Sequence, residues 1–177
     1  FSLTPAGAAL MDRIELSEPF EATAAERDLI NRWQDAGLLH PQPDLNAAVS
    51  PSPQVTLVVP VRDRAEGVQR LLASIAADQS DAASAIRKIL IVDDGSVQPL
   101  IVETAGQRLP TVRVIRIEQS VGPAQARNLG LRHVSTELVA FVDSDCQVTT
   151  DWLAPLLGQI ADPFVVAAAP RVKAVLP

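Results

Sequence analysis

The sequence predicts an α/β fold, a doubly wound parallel sheet preceded by a small helical unit, and three observations carry that prediction. Nearly continuous apolar runs at Val55 to Val59, Ile89 to Val92 and Leu138 to Val142 suit parallel strands covered on both faces, which need no polar side. Between the first two runs, Val68, Leu71, Leu72, Ile75 and Ala76 fall at helical spacing and define an amphipathic helix that packs on the sheet. Each of the three runs is followed by a polar cluster, and in such sheets ligands bind beyond the carboxyl ends of the strands.

The remaining elements follow in chain order. Thr4-Pro5 opens a first helix in which Leu10, Met11 and Ile14 form an apolar stripe, Thr serving as cap and Pro suiting the first helical position. Thr23-Ala-Ala-Glu26 has capping-box spacing, Leu29, Ile30 and Trp33 follow at helical intervals, and Gly37 stands where a glycine ends a helix. These helices define a helical, winged-helix-like unit over 1–40. The stretch 41–53, rich in Pro and small residues, reads as a linker, and 54–177 as the sheet domain. Within that domain Val112 to Ile117 alternates imperfectly and reads as a strand nearer an edge. A helix is expected from about Asp151, with Trp152, Leu153, Leu156, Leu157 and Ile160 on its apolar side, and a last strand from Phe164 to Ala169.

Composition narrows the function. The chain has 177 residues and a formal net charge of −6, so it offers no basic field for a nucleic-acid backbone. The lone cysteine, Cys146, has no internal disulfide partner, which suits a cytoplasmic setting. No apolar run is long enough to span a bilayer, and membrane association through a further C-terminal part stays open. There is no Gly-rich dinucleotide or P-loop motif.

Three polar clusters carry the chemistry: Pro60-Val-Arg-Asp-Arg64, Asp93-Asp-Gly-Ser96 and Asp143-Ser-Asp145. Asp143 and Asp145 sit one residue apart where a strand ends, so both carboxylates can turn towards one Mg²⁺ or Mn²⁺, cations that favour carboxylate and phosphate oxygens. The competing reading of this triplet is an ordinary turn capping the next helix. Asp93 and Asp94 are suited to accept hydrogen bonds from a nucleoside, with Gly95 letting the chain turn close to a ligand. Gly122 to Gly130 opens a helix with small residues and supplies Arg127; small residues there admit a ligand to the helix N-terminus or simply seat the helix on the sheet. Cys146, His40 and His133 lack partners at catalytic or metal-binding spacing, and Trp33 and Trp152 fit apolar helix faces.

In combination and order, Pro60 to Arg64, Val92-Asp-Asp-Gly-Ser96, Gly122 to Gly130 and Phe141-Val-Asp-Ser-Asp145 resemble the motifs of family 2 glycosyltransferases with the GT-A fold. The Arg-Asp-Arg and Asp-Ser-Asp-Cys stretches, Asp162-Pro163 and Ala169-Pro-Arg171 are most similar to the mycofactocin-system branch of that family. The resemblance implies metal-dependent, inverting transfer of a hexose, glucose above all, from a UDP-sugar to a small-molecule or peptide-derived acceptor. By the same resemblance, donor binding falls to Pro60, Val61, Arg62, Asp63, Asp93, Asp94, Arg127, Asp143 and Ser144, and metal binding to Asp145. No catalytic base is assigned within the chain; the family pattern puts it after Pro177. The alternatives are a sugar-nucleotide pyrophosphorylase, whose Gly-rich loop after the first strand is missing here, and a nucleotide-binding module without turnover.

Overall fold

A computed structural model describes residues 4–15, 20–39, 53–162 and 164–174. The chain divides into two compact units, Phe1–Gln42 and Pro43–Pro177. The linker expected over 41–53 lies, apart from Pro53, outside the described residues.

The described part of the first unit contains two helices. α1 (Pro5–Glu15) starts at Thr4, whose Oγ1 accepts the Gly7 N–H at 3.2 Å. α2 (Ala24–Asp35) begins with a reciprocal capping box: the Glu26 N–H donates to Thr23 Oγ1 at 3.3 Å, and the Thr23 N–H donates to the Glu26 carboxylate at 2.8 Å. Two orphan donors of the first turn are thereby satisfied. The helix closes in a Schellman motif, with the Leu38 N–H on the Trp33 carbonyl at 2.8 Å and the Gly37 N–H on that of Gln34 at 2.9 Å. Gly37 takes the left-handed φ of 68° which that ending requires. Leu10 and Trp33 are buried.

In the second unit the order is β1 (Val55–Val61), α3 (Ala65–Ala77), a 3-10 turn at Ala82–Ala85, β2 (Ile86–Asp94), β3 (Thr111–Ile117), α4 (Pro123–Leu131), β4 (Leu138–Phe141) and α5 (Ala154–Ile160). The strands form one parallel sheet in the order β3-β2-β1-β4. From β1 the chain steps outward to β2 and β3, then returns across the sheet to lay β4 on the other side of β1. A crevice opens at such a reversal, beyond the carboxyl ends of the strands.

Side-chain parity explains the two-sided core. Val55, Leu57, Val59 and Val61 of β1 and Ile89 and Ile91 of β2 pack with Val68, Leu71, Leu72 and Ile75 of α3. Val58, Leu90 and Val92 point to the opposite face and pack with Ala126 of α4. Successive residues on a strand face opposite ways, so a strand buried on both sides reads as an unbroken apolar run. At Gly130 a Cβ would come within 2.4 Å of Val58 Cγ1, so α4 lies against the sheet as closely as a side-chain-free position allows.

Two expected boundaries change. Phe164 to Ala169 is no strand: the Asp162 carboxylate and carbonyl accept the N–H groups of Phe164 and Val165 and fold the start of the segment into a turn. No described strand pairs with it, and Phe164 and Val166 are exposed. The helix expected from Asp151 begins at Ala154 instead, because Asp151 has a left-handed φ of 58° that a helix cannot contain.

Candidate functional site

The ends of β1, β2 and β4 and the start of α4 enclose a cleft of about 490 Å³. Pro60, Val61, Arg62, Arg64, Asp94, Ser120, Gly122, Pro123, Arg127, Asp143, Ser144 and Asp145 line it. Pro60 has no N–H for the ladder, and it stands past the Val58 to Phe141 pair that is the last between β1 and β4. The strands part there, and the cleft occupies the fork.

Asp93 and Asp94 close β2 and, by strand parity, diverge. Asp94, on the α4 face with Val92, is 4% exposed. Its carboxylate accepts from Ser120 Oγ at 2.8 Å, the Val121 N–H at 2.7 Å and the Gly122 N–H at 2.9 Å, so it shapes the turn that feeds α4. Burial pushes its pKa up, but the Val121 N–H, the Ser120 hydroxyl, the Gly122 N–H and the nearby Arg62 charge outweigh that and hold the carboxyl below its ordinary range. Gly95 makes the turn possible: its φ is 68°, and a Cβ there would lie 2.7 Å from the Ser120 backbone nitrogen.

Asp93, expected to share the nucleoside with Asp94, instead turns to the other face and does not line the cleft. It is fully buried, pairs with Arg116 at 2.7 Å, and accepts the N–H groups of Ser96 at 3.0 Å and Leu100 at 3.2 Å. Arg116 stands directly opposite in the β2 to β3 register. Burial again raises the pKa, and hydrogen bonds from Ser96, Leu100 and Arg116 more than reverse the rise. Asp63 also points elsewhere than expected. With a left-handed φ of 52°, it offers its N–H to Ser96 Oγ at 2.9 Å and its carboxylate to the Val97 N–H at 2.7 Å, fastening the loop after β1 to the loop after β2.

The Asp143-Ser144-Asp145 triplet forms a turn closed by the Cys146 N–H on the Asp143 carbonyl at 3.0 Å. It caps no helix, since α5 starts only at Ala154. Ser144 is buried, whereas both carboxylates are more than half exposed and rest on arginines: Asp143 on Arg127 at 2.5 Å, Asp145 on Arg64 at 2.9 Å. Burial, together with the charges of Asp143 and Asp145, pushes the Cys146 thiol pKa up, which keeps it protonated and unsuited to nucleophilic work.

Three arginines, Arg62, Arg64 and Arg127, thus face three carboxylates in the cleft. Among the described residues no group of three or more acidic, His or Cys side chains is placed to hold a metal ion. The hard oxygens of Asp143 and Asp145 fit a divalent cation only if a ligand and water complete its shell. The small residues of α4 serve both expected purposes: Gly122 and Pro123 line the cleft, while Ala126 and Gly130 are buried against the sheet. Ser120, Arg64 and Arg116 were not singled out individually by sequence. Arg116 is one of two arginines in β3, with Arg113, so charge within the strand does not by itself single it out.

This architecture is that of the GT-A nucleotide-sugar transferases. A mannosyltransferase from Pyrobaculum calidifontis, solved with GDP-Man and Mn²⁺, shares the fold at a TM-score of 0.57 and 23% identity, over 77% of this chain and 41% of that one. The chain belongs to glycosyl transferase family 2, whose model matches residues 56–175. It is 36% identical over 138 residues to the pre-mycofactocin glycosyltransferase of Mycobacterium tuberculosis, a match covering 78% of this chain and 27% of the relative. It is also 34% identical over 90 residues to human polypeptide N-acetylgalactosaminyltransferase 6, covering 49% of this chain and 14% of that protein. The chain therefore spans about a quarter or less of the length of these curated relatives. Among the described residues no helix is long and apolar enough to cross a membrane.

Proposed function

We propose that this chain is the donor-binding part of an inverting glycosyltransferase that takes a hexose, glucose above all, from a UDP-sugar and delivers it to a hydroxyl of a peptide-derived acceptor. The observation that carries the proposal is the convergence of Asp94, Arg127, Asp143, Ser144 and Asp145, drawn from two strand ends and a helix, on one cleft at the fork of a parallel sheet. The likeness to the pre-mycofactocin enzyme supports the choice of acceptor.

Asp94 uses three acceptor positions on Ser120, Val121 and Gly122. A carboxylate has about four, which leaves one for an imide N–H or a ribose hydroxyl. Arg62, Arg64 and Arg127 supply the positive charge a diphosphate needs, and the N-terminus of α4 adds its dipole. Asp145, with Asp143 beside it, would hold Mg²⁺ or Mn²⁺, and the bound ion supplies neutralisation of the departing diphosphate. Each carboxylate lining the cleft is already engaged by an arginine or by hydrogen-bond donors, so we assign none as the base that inversion demands.

Isothermal titration of UDP, ADP and NAD, each with and without Mn²⁺ at fixed ionic strength, tests the reading. UDP should bind best and Mn²⁺ should tighten it. Equal UDP affinity with and without Mn²⁺ would remove the metal assignment, and failure to bind UDP would remove the donor assignment. UDP binding by a longer form that transfers no sugar would favour a module without turnover.

A further inference from the structure

The acidic turn has little support of its own. The segment from Val142 to Leu153 contains neither helix nor strand, and the two arginine pairs are exposed and hold only side chains. Its backbone is tied to β1 only at its start, where the Val142 N–H donates to the Val58 carbonyl at 3.1 Å; from Ser144 onward α3 meets it at three successive points. At Gly67 a Cβ would lie 2.5 Å from the Ser144 carbonyl oxygen, so the helix and the turn touch backbone to backbone. Ser74 Oγ, itself donating to the Leu71 carbonyl at 2.7 Å, accepts the Val148 N–H at 3.0 Å. Asp78 Oδ1, at the end of the helix, accepts the Asp151 N–H at 3.2 Å and the Ser80 N–H at 3.0 Å. Residues 67, 74 and 78 are spaced by seven and four, which places them along one helix face, and they meet 144, 148 and 151 in the same order.

We infer that α3 is a rail that sets the position of the Asp143 and Asp145 carboxylates, with Gly67, Ser74 and Asp78 as positioning residues for the metal. The inference rests on the donor-site reading above and deepens it. Metal affinity depends on how firmly ligands are oriented, and losing a supporting hydrogen bond behind a ligand costs about 10–100-fold. None of the three positioning residues lines the cleft, so each acts on the ligands only through the loop. Ser74 is the sharpest of them, because Ser74→Ala removes one acceptor from a half-buried site while Ser74→Thr restores the hydroxyl.

The test is UDP binding to the chain across a Mn²⁺ titration, with thermal melting to establish that each variant is folded. Gly67→Ala, which forces the Ser144 carbonyl to move, and Ser74→Ala should each raise the Mn²⁺ concentration for half-maximal tightening about tenfold. Metal-free UDP affinity should not change, and Ser74→Thr should recover the wild-type value. An unaltered Mn²⁺ requirement in folded Ser74→Ala would overturn the rail, whether or not Gly67→Ala folds. If the wild-type chain bound UDP without any Mn²⁺ effect, the metal reading alone would fall. Amide hydrogen exchange of residues 144–151 then decides for the rail: it must quicken in Ser74→Ala and recover in Ser74→Thr, and unchanged exchange overturns it.

Discussion

The two acidic pairs at the strand ends are built in opposite ways. Asp93 and Asp94 are buried and held by several partners each on their own scaffold, while Asp143 and Asp145 are exposed and held by one arginine each. The first pair fixes the shape of the loops, and the second keeps its charge where an incoming cation can exchange for the arginine. On the donor-site reading proposed above, binding and releasing a charged nucleotide with its metal needs both: fixed dipoles that do not reorganise, and carboxylates whose present partners cost little to displace.

The largest expected effect tests the buried side of this contrast. Asp93→Ala takes away the nearest partner of Arg116, leaving it the Ser96 carbonyl and the exposed Glu118, and orphans the Ser96 and Leu100 N–H groups; removing one partner of a buried pair costs about 3–5 kcal/mol, and urea unfolding should show a drop towards the lower end of that range. Sign and pH window follow from the lowered carboxyl pKa. A depressed folded pKa contributes stability above the unfolded value near 3.8, lost as pH falls through the folded value. Wild type should therefore weaken steeply below about pH 4, and the variant should lose part of that slope. A loss under about 1 kcal/mol would show that Asp93 and Asp143 differ less than their burial indicates.

Next in size is Asp145→Asn on the exposed side. Turnover of a longer, active form at saturating UDP-sugar should fall about a hundredfold, equivalent to about 2.7 kcal/mol of transition-state stabilisation. Its urea midpoint should stay where it is. Near-normal turnover at ordinary Mn²⁺ would return the triplet to a plain turn.

Asp94→Asn falls between the two classes, because this carboxylate both builds a turn and borders the cleft. We expect UDP affinity to weaken about tenfold, or about 1.4 kcal/mol, appearing mainly in KM because ground state and transition state share the contact. A fall in kcat with unchanged KM would move Asp94 into the group of charges that act in the transition state. Smallest is Arg64→Gln, which opens an exposed pair: stability should change by no more than about 1 kcal/mol and become less sensitive to salt. A larger change would mean that the exposed arginines are structural too.

Much of this was legible in the sequence. The unbroken apolar runs of β1 and β2 announced a sheet buried on both faces, and the capping residues Thr4 and Thr23 named their helices. The polar clusters fell at strand ends as the parallel fold demands. What was less legible follows from strand parity: Asp93 and Asp94, read together as adjacent carboxylates, lie within β2 and so must face opposite ways. Asp63 sits in sequence among the ligand-loop residues, and nothing local reveals that its backbone turns left-handed to meet Ser96 and Val97. Phe164 to Ala169 has a strand's composition, but a strand exists only by pairing, and composition carries no information about the partner. The contacts of Gly67, Ser74 and Asp78 with residues 144–151 cross more than seventy positions of chain, beyond the reach of any local pattern.

The return of the chain to β1 has a consequence for the order of folding. β1 meets β2 after the short α3 crossover, but its other edge waits for β4, which comes into register at Val55 with Leu138. Loop closure over that distance is slow compared with the local crossover, so β1 and β2 with α3 should form first and the β4 side last. Until then the hydrogen-bonding edge of β1 stays open, a template for pairing with another chain. The fork that later receives the ligand thus lies on the side of this sheet that assembles last, a side fastened at the other, amino-terminal end of the strands by the Gln54 N–H donating to the Glu137 carboxylate and by the paired hydroxyls of Thr56 and Thr136.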